Sequence, residues 1–200
     1  VALASAAADA LHPAFSNLFV QTQIIAPRGA ILCTRRPRSH DEHPPWMFHL
    51  MAVHGADSLD VSYETDRMAF IGRGRTAASP LAMTTAGRLS GGHGSVLDPV
   101  VAIRHRLTLE PQQTATIDLA SGMADTRDAA LALVGKYQDR YLADRVFDLA
   151  WTHSWVTLRQ INATETDAQL YGRLAGPVIH ANAVMRAAHG VLAVNRRGQH

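Results

Sequence analysis

The 200-residue sequence contains one cysteine and one lysine, and nowhere a run of about 18 apolar residues able to cross a membrane as a helix. The single cysteine, Cys33, excludes an internal disulfide and fits a reducing compartment. Charged residues make up only 18%, too few for a disordered chain, while 47% apolar residues supply a core. Net charge is +2 with both signs interspersed, so no basic face argues for nucleic acid. Aromatics are 6%, which leaves little material for a broad sugar-stacking surface. Several motifs are also missing. No Gly-Lys-Ser/Thr ending follows a glycine-rich loop, no G-x-S-x-G elbow occurs, and no zinc-type ligand spacing is present. The Ala-rich start "VALASAAADALHPAF" lacks a basic n-region and opens on Val. It reads as an internal cut through a longer chain, not as a signal peptide.

What is present has two textures. Residues 17–25, 30–36 and 46–53 read as strands, separated by Pro- and charge-rich segments. Leu18, Val20, Thr22 and Ile24 share one face of the first. Residues 100–109 and 114–124, joined by "EPQQ", read as an antiparallel hairpin. Val101, Ile103, His105, Leu107 and Leu109, with Ala115, Ile117 and Leu119, would face the core; Arg104, Arg106 and Asp118 would face water. After Asp125 the sequence turns Ala/Leu-rich. Thr126 is placed to cap a first helix, with Asp128 near its positive end. Thr164 with Asp167 suggests a capping box for another helix, which Gly176-Pro177 should break, and residues 178–195 look helical again. Neither a repeat nor a low-complexity linker occurs. The expected division is a β-block over 1–125 and a helical block over 126–200.

Several groups are candidates for chemistry. "SYETDRMAFIGRGRT", residues 62–76, packs three arginines, two acids and two glycines into fifteen positions. It reads as a phosphate cradle, a sugar-binding loop, or a charge-paired turn. No helix pattern follows Gly72–Arg75 to complete a phosphate cradle. "SHDEH" (His40, Asp41, Glu42, His43) is the densest histidine cluster among eleven, in a Pro-flanked loop, and the expectation is no metal site. His49 and His54 should lie on opposite faces of one strand. Trp46, Trp151 and Trp155 could stack on sugars, but the last two, at i, i+4, fit core packing between helix and sandwich better. Asp139, Arg140, Asp144, Arg145 and Asp148 make a charge ladder at helical spacing. No residue stands out as catalytic.

The segments "HPAFSNLFVQTQI", "ILCTRRPRS", "PPWMFHLMAV", "YETDRMAFIGRGRT", "GSVLDPVVAIR", "KYQDRYLADRVFDLAWTHS", "LRQINATETDAQLYGRLAGPVIHAN" and "NRRGQ" together resemble the cyclic β-1,2-glucan synthase family. The resemblance is to its phosphorylase-like region, related to glycoside hydrolase family 94, once called glycosyltransferase family 36. It runs from His12 to Gln199, and its motifs keep the family's order. It implies part of an antiparallel super-β-sandwich followed by linker helices, without the family's (α/α)6 barrel. Two positions depart from the pattern: Trp155, where relatives more often carry a small polar residue or Gln, and His200, where Ser commonly follows "RGQ".

For function, the resemblance implies a fragment of a β-glucan-processing glycosyltransferase or glycoside phosphorylase. It would support a catalytic barrel and bear no catalytic residue, so Asp98 and Asp125 are not promoted to that role. It needs no cofactor of its own; the parent would use inorganic phosphate, and UDP-glucose in a separate region. Tyr63, Arg67, Arg73 and Arg75 are expected in a substrate-proximal loop. Tyr63, Arg73 and Arg75 would approach sugar hydroxyls or phosphate, while Glu64, Asp66 and Arg67 hold its shape. Implied partners are a β-glucan or oligosaccharide, the barrel of the same parent chain, and a second copy in a homodimer. The segment itself would be cytoplasmic, its parent anchored in a bacterial inner membrane. The alternative is a stand-alone carbohydrate-binding β-sandwich module.

Overall fold

The computed structural model describes residues 3, 17–37, 39–179 and 187–194, and the chain divides into two compact units, Val1–Asp144 and Arg145–His200. The first unit is built on three strands whose apolar alternation the sequence displays: β1 (Val20–Ile25), β2 (Ala30–Arg35) and β3 (Trp46–His54). A 3-10 turn at Ala26–Arg28 joins the first two and ends on Gly29 at φ 56°, the left-handed region glycine tolerates best. Then come β4 (Ser58–Asp66), the short helices α1 (Arg67–Ile71) and α2 (Leu81–Thr84), and β5 (Gly94–Ser95). Strands β6 (Pro99–Leu107) and β7 (Thr116–Ala124) complete the β-block.

Among the described residues the strands form two antiparallel sheets, a larger one in the order β5-β1-β2-β3-β7 and a smaller one of β4 with β6. The larger sheet packs against a core on each face, on the second face only in part. On one, Ala30, Leu32, Phe48 and Leu50, with Ala120 and Ala124 of β7, meet Ala130 and Val134 of helix α3 (Arg127–Tyr137). On the other, Val20, Ile31 and Cys33 meet Tyr63, Val61, Val101 and Ile103 of the smaller sheet. Each fully buried Ile or Leu contributes roughly 1.5–3 kcal/mol through apolar area removed from water. Thr126 caps α3, its Oγ1 accepting from the Ala129 N–H at 3.2 Å, as the sequence suggests. Strands first and helices afterwards is the architecture expected from the sequence.

Two expectations need correction. The segments 100–109 and 114–124 are not a hairpin: β6 pairs with β4, and β7 pairs with β3 along its whole length from Trp46↔Ala124 to His54↔Thr116. The two strands thus belong to different sheets. The inward face of β7 is inverted too. Ala120, Gly122 and Ala124 turn toward α3, while Ile117, Leu119 and Met123 are 48%, 62% and 56% exposed. Gly122 is required there, because a Cβ at that position would lie 2.7 Å from the Phe48 ring.

Helix α4 (Arg140–Gln160) starts in the first unit. There Asp139 accepts the Tyr141 N–H, and Arg140 donates to both Asp118 oxygens at 3.0 and 3.2 Å. So Asp139 works as a cap and Arg140 reaches across to β7, while the Arg140–Asp144 pair at 3.5 Å is the part of the charge ladder that forms. Helices α5 (Glu165–Ile179) and α6 (His189–Val194) belong to the second unit. The Thr164/Asp167 capping box is present: Asp167 Oδ2 accepts from Thr164 N and Oγ1, and Asp167 N donates to Thr164 Oγ1. Those bonds from Thr164 hold the Asp167 carboxyl below its usual range. Contrary to expectation, α5 continues through Gly176-Pro177 to Ile179. Pro177 sits in the last turn, and Gly176 has no Cβ to clash with the proline ring. The expected helix over 178–195 is described only at its ends, since residues 180–186 lie outside the described residues. Trp151 and Trp155 stack edge to face with centroids 5.9 Å apart, yet stay 67% and 38% exposed and not buried in a core.

Candidate functional site

The arginine-rich stretch begins inside a strand. Ser62, Tyr63, Glu64 and Thr65 close β4 and are all buried. Glu64 is the anchor: its Oε1 accepts from the N–H groups of Thr65 and Asp66, and its Oε2 accepts from Ser90 Oγ at 2.6 Å. A carboxylate that satisfies several donors at once survives burial that would otherwise be costly. Thr65 Oγ1 lies 2.7 Å from Thr22 Oγ1 and donates to Gly92 O at 2.8 Å, tying both sheets to the 90–94 segment. Asp66 then caps α1 through Met68 N. Glu64 and Asp66, expected to hold the loop through ion pairs, instead serve as a buried clasp and a cap through backbone and hydroxyl donors.

The four residues expected near substrate do not converge. Tyr63 is 7% exposed within the inter-sheet core, and its hydroxyl donates to Ala26 O at 3.3 Å. Arg67 pairs with Asp98 at 3.0 Å. Arg75 donates to Thr84 Oγ1 at 2.8 Å, and Arg73 is exposed between the positive-φ glycines Gly72 and Gly74. No hydrogen bond or ion pair among the described residues joins any two of them. Gly72 is fixed by packing, because a Cβ there would lie 2.7 Å from that of Leu81.

Arginines on the outer face of the smaller sheet serve the loop as well. Arg104 donates to the carbonyls of Ala82 and Thr85 and in a very short contact to that of Gly87, and Arg106 donates to Ala86 O. Arg88 pairs with Asp60 at 2.6 Å and donates to Val61 O. These forks hold 82–88 against β4 and β6, leaving a small polar cavity of about 140 Å³ beside Asp60, Ser62 and His105. His105 is hydrogen-bonded to Ser58 Oγ at 2.9 Å, and burial lowers its pKa. His49 and His54 lie on opposite faces, the first on Ser121 Oγ at 2.7 Å and the second 3.4 Å from Asp118. Burial lowers the His49 pKa and pushes the Cys33 thiol up to about 11, which leaves that thiol protonated and unreactive at neutral pH. No group of three potential metal ligands occurs among the described residues.

A larger cleft, about 360 Å³, opens where the β2–β3 loop meets the start of α3. Trp46, Gln21, Arg36, Glu42, Asp125 and Arg127 are among the residues lining it. Sequence reading singled out Trp46 and the 40–43 loop separately. Nothing in the sequence shows that β3 and β7 align Trp46 with Ala124 and so bring residues 125–127 to the same end of the sheet.

The clasped loop, the two sheets and the capping helix define a supersandwich: the family model for the supersandwich domain of glycosyl hydrolase 94 matches residues 1–140, and the chain belongs to that family. It is also similar to a particular protein, the cyclic beta-(1,2)-glucan synthase NdvB of Rhizobium meliloti (strain 1021), with 28% identity over 180 residues. That match covers 90% of this chain but only 6% of the relative, so the chain spans a small part of the length of the curated protein it resembles. Among the described residues no helix is long and apolar enough to cross a membrane.

Proposed function

We propose that this chain is a non-catalytic part of a β-glucan-processing enzyme, a glycosyltransferase or glycoside phosphorylase of the cyclic β-1,2-glucan synthase type. In this reading residues 1–125 are sandwich and 126–200 a helical linker, and the groups that act on glycosidic bonds lie in an (α/α)6 barrel elsewhere in the same polypeptide. The observation that carries it is the exposed apolar face of β7. Ile117, Leu119 and Met123 continue, along the same sheet face, the layer that buries Ile31 and Cys33. An apolar strip in line with a formed core is a surface awaiting a partner, and further polypeptide of the enzyme is the partner this reading assigns. The parent would use inorganic phosphate at the barrel and UDP-glucose in a separate region. It would act on the cytoplasmic side, anchored in a bacterial inner membrane, and a homodimer is compatible with it.

Within this reading Arg73 is the residue of the arginine-rich loop best placed to meet a ligand, being exposed and without a partner among the described residues. Arg67 and Arg75 would have to leave Asp98 and Thr84 to do so. The test is turnover. The 200-residue chain, incubated with β-1,2-glucan and inorganic phosphate, is expected to release no glucose 1-phosphate. In the longer enzyme, Leu119→Asp is expected to lower activity severalfold by spoiling the covered face. Product from the chain alone, or an unaffected Leu119→Asp enzyme, contradicts the proposal.

A further inference from the structure

We infer that the cleft beside Trp46 is a binding site for a short, neutral gluco-oligosaccharide segment. The inference rests on the reading of the chain as part of a glucan-processing enzyme, and the geometry of the cleft supplies its location. A volume of about 360 Å³ is at the small end of ligand clefts, enough for a chain end and too little for a long strand. Trp46 is half-buried: it packs against the core around Phe48 and Leu50 and also lines the cleft. A tryptophan held by the core at the edge of a cleft offers a rigid apolar surface, which suits the C–H face of a pyranose ring.

The polar lining has both signs. Arg36 and Arg127 supply guanidinium donors, Asp125 supplies a carboxylate acceptor, and Gln21 supplies both donor and acceptor. Arg127 is oriented by its Nε, which donates to Gln23 Oε1 at 3.0 Å, and its terminal nitrogens remain for a ligand. Asp125 is exposed and has no partner among the described residues. Vicinal hydroxyls donate and accept at once, so a mixed set of planar groups fits a polyol. A free anion would meet Asp125 and Glu42 as like charges.

The outer-face cavity at Asp60 and His105 is weaker as a site, because Arg104 and Arg106 already donate to loop carbonyls there and Arg88 is paired with Asp60. The exposed face of β7 belongs to the proposal above. The Trp46 cleft is the place where unengaged polar groups, an aromatic plane and a cavity coincide.

The test uses the whole chain with Trp151→Phe and Trp155→Phe, so that Trp46 is the single fluorescent reporter. Titration with a short β-1,2-linked gluco-oligosaccharide is expected to shift Trp46 emission saturably, with a matching calorimetric isotherm. Asp125→Asn is expected to weaken binding about five- to tenfold at unchanged thermal midpoint, the scale of one charge-assisted hydrogen bond. Arg127→Gln serves as a second variant, since Trp46→Ala also removes core packing. Binding without a Trp46 response, no binding by the folded chain, or a response to inorganic phosphate alone each overturns this inference. None of these touches the scaffold reading, which fails separately if the chain turns over glucan.

Discussion

The two halves of one sheet face differ sharply. Over β1 and β2 the inner face is closed by the small sheet, and Val20, Ile31 and Cys33 are fully buried. Over β7 the same face is open, and its large apolar side chains stand about half exposed or more. Composition does not separate the halves: Val20, Ile24 and Ile31 on one and Ile117, Leu119 and Met123 on the other are similarly apolar. The difference lies in what arrives from elsewhere in the chain to cover them. Strands β4 and β6, with the arginine-stapled loop, reach one half and not the other. The lesson is that alternation marks a face fit for burial, while coverage depends on long-range partners.

Breaking the closed half should cost most. Ile31→Ala is expected to lower unfolding free energy by about 3 kcal/mol in urea titration, through lost transfer and the cavity left behind. Leu119→Ala should change it by less than about 0.5 kcal/mol, as for an exposed site. Equal effects would erase the contrast. Next comes the clasp. Glu64→Gln replaces a charged acceptor of two N–H groups and the Ser90 hydroxyl with a neutral amide, and should cost about 2 kcal/mol. Limited proteolysis should then cut first near Gly91 and Gly92. A smaller loss, about 1 kcal/mol, is expected from Thr126→Ala at the cap of α3, with Thr126→Ser restoring most of it.

The smallest effect is on pH. His49 and His105 both have folded pKa values lowered by burial from 6.5. Below 6.5 the unfolded chain takes up protons first, so their contribution is complete above that pH and is lost as pH falls toward the folded values. The urea midpoint should therefore drop modestly between pH 7.5 and 5.5, and the double variant His49→Gln/His105→Gln should reduce that drop. A midpoint that rises on acidification would reverse the sign argued here.

Local signals in the sequence carried a good part of the architecture. The first three strands, the Thr126 cap and the Thr164/Asp167 box match the structure closely because each is written within a few neighbouring residues. Strand β4 escaped notice because Glu64 and Asp66 look like loop charges, when Glu64 is in fact buried and fully engaged. The supposed hairpin failed because "EPQQ" connects two strands without making them partners. Pairing of β6 with β4 and of β7 with β3 spans tens of residues and leaves no local trace. The site was legible only in pieces. Trp46 and the histidine-rich loop were visible, whereas their meeting with Asp125 and Arg127 depends on the β3–β7 register.

The proposal assigns the open half of the sheet as an interface within a longer enzyme. Thiol labelling of Leu119→Cys tests this most directly, since the native Cys33 is buried and held protonated. The account predicts fast labelling in the 200-residue chain and labelling at least about tenfold slower in the longer enzyme, as expected where a covered site reacts only through rare opening. Equally fast labelling in both would contradict it.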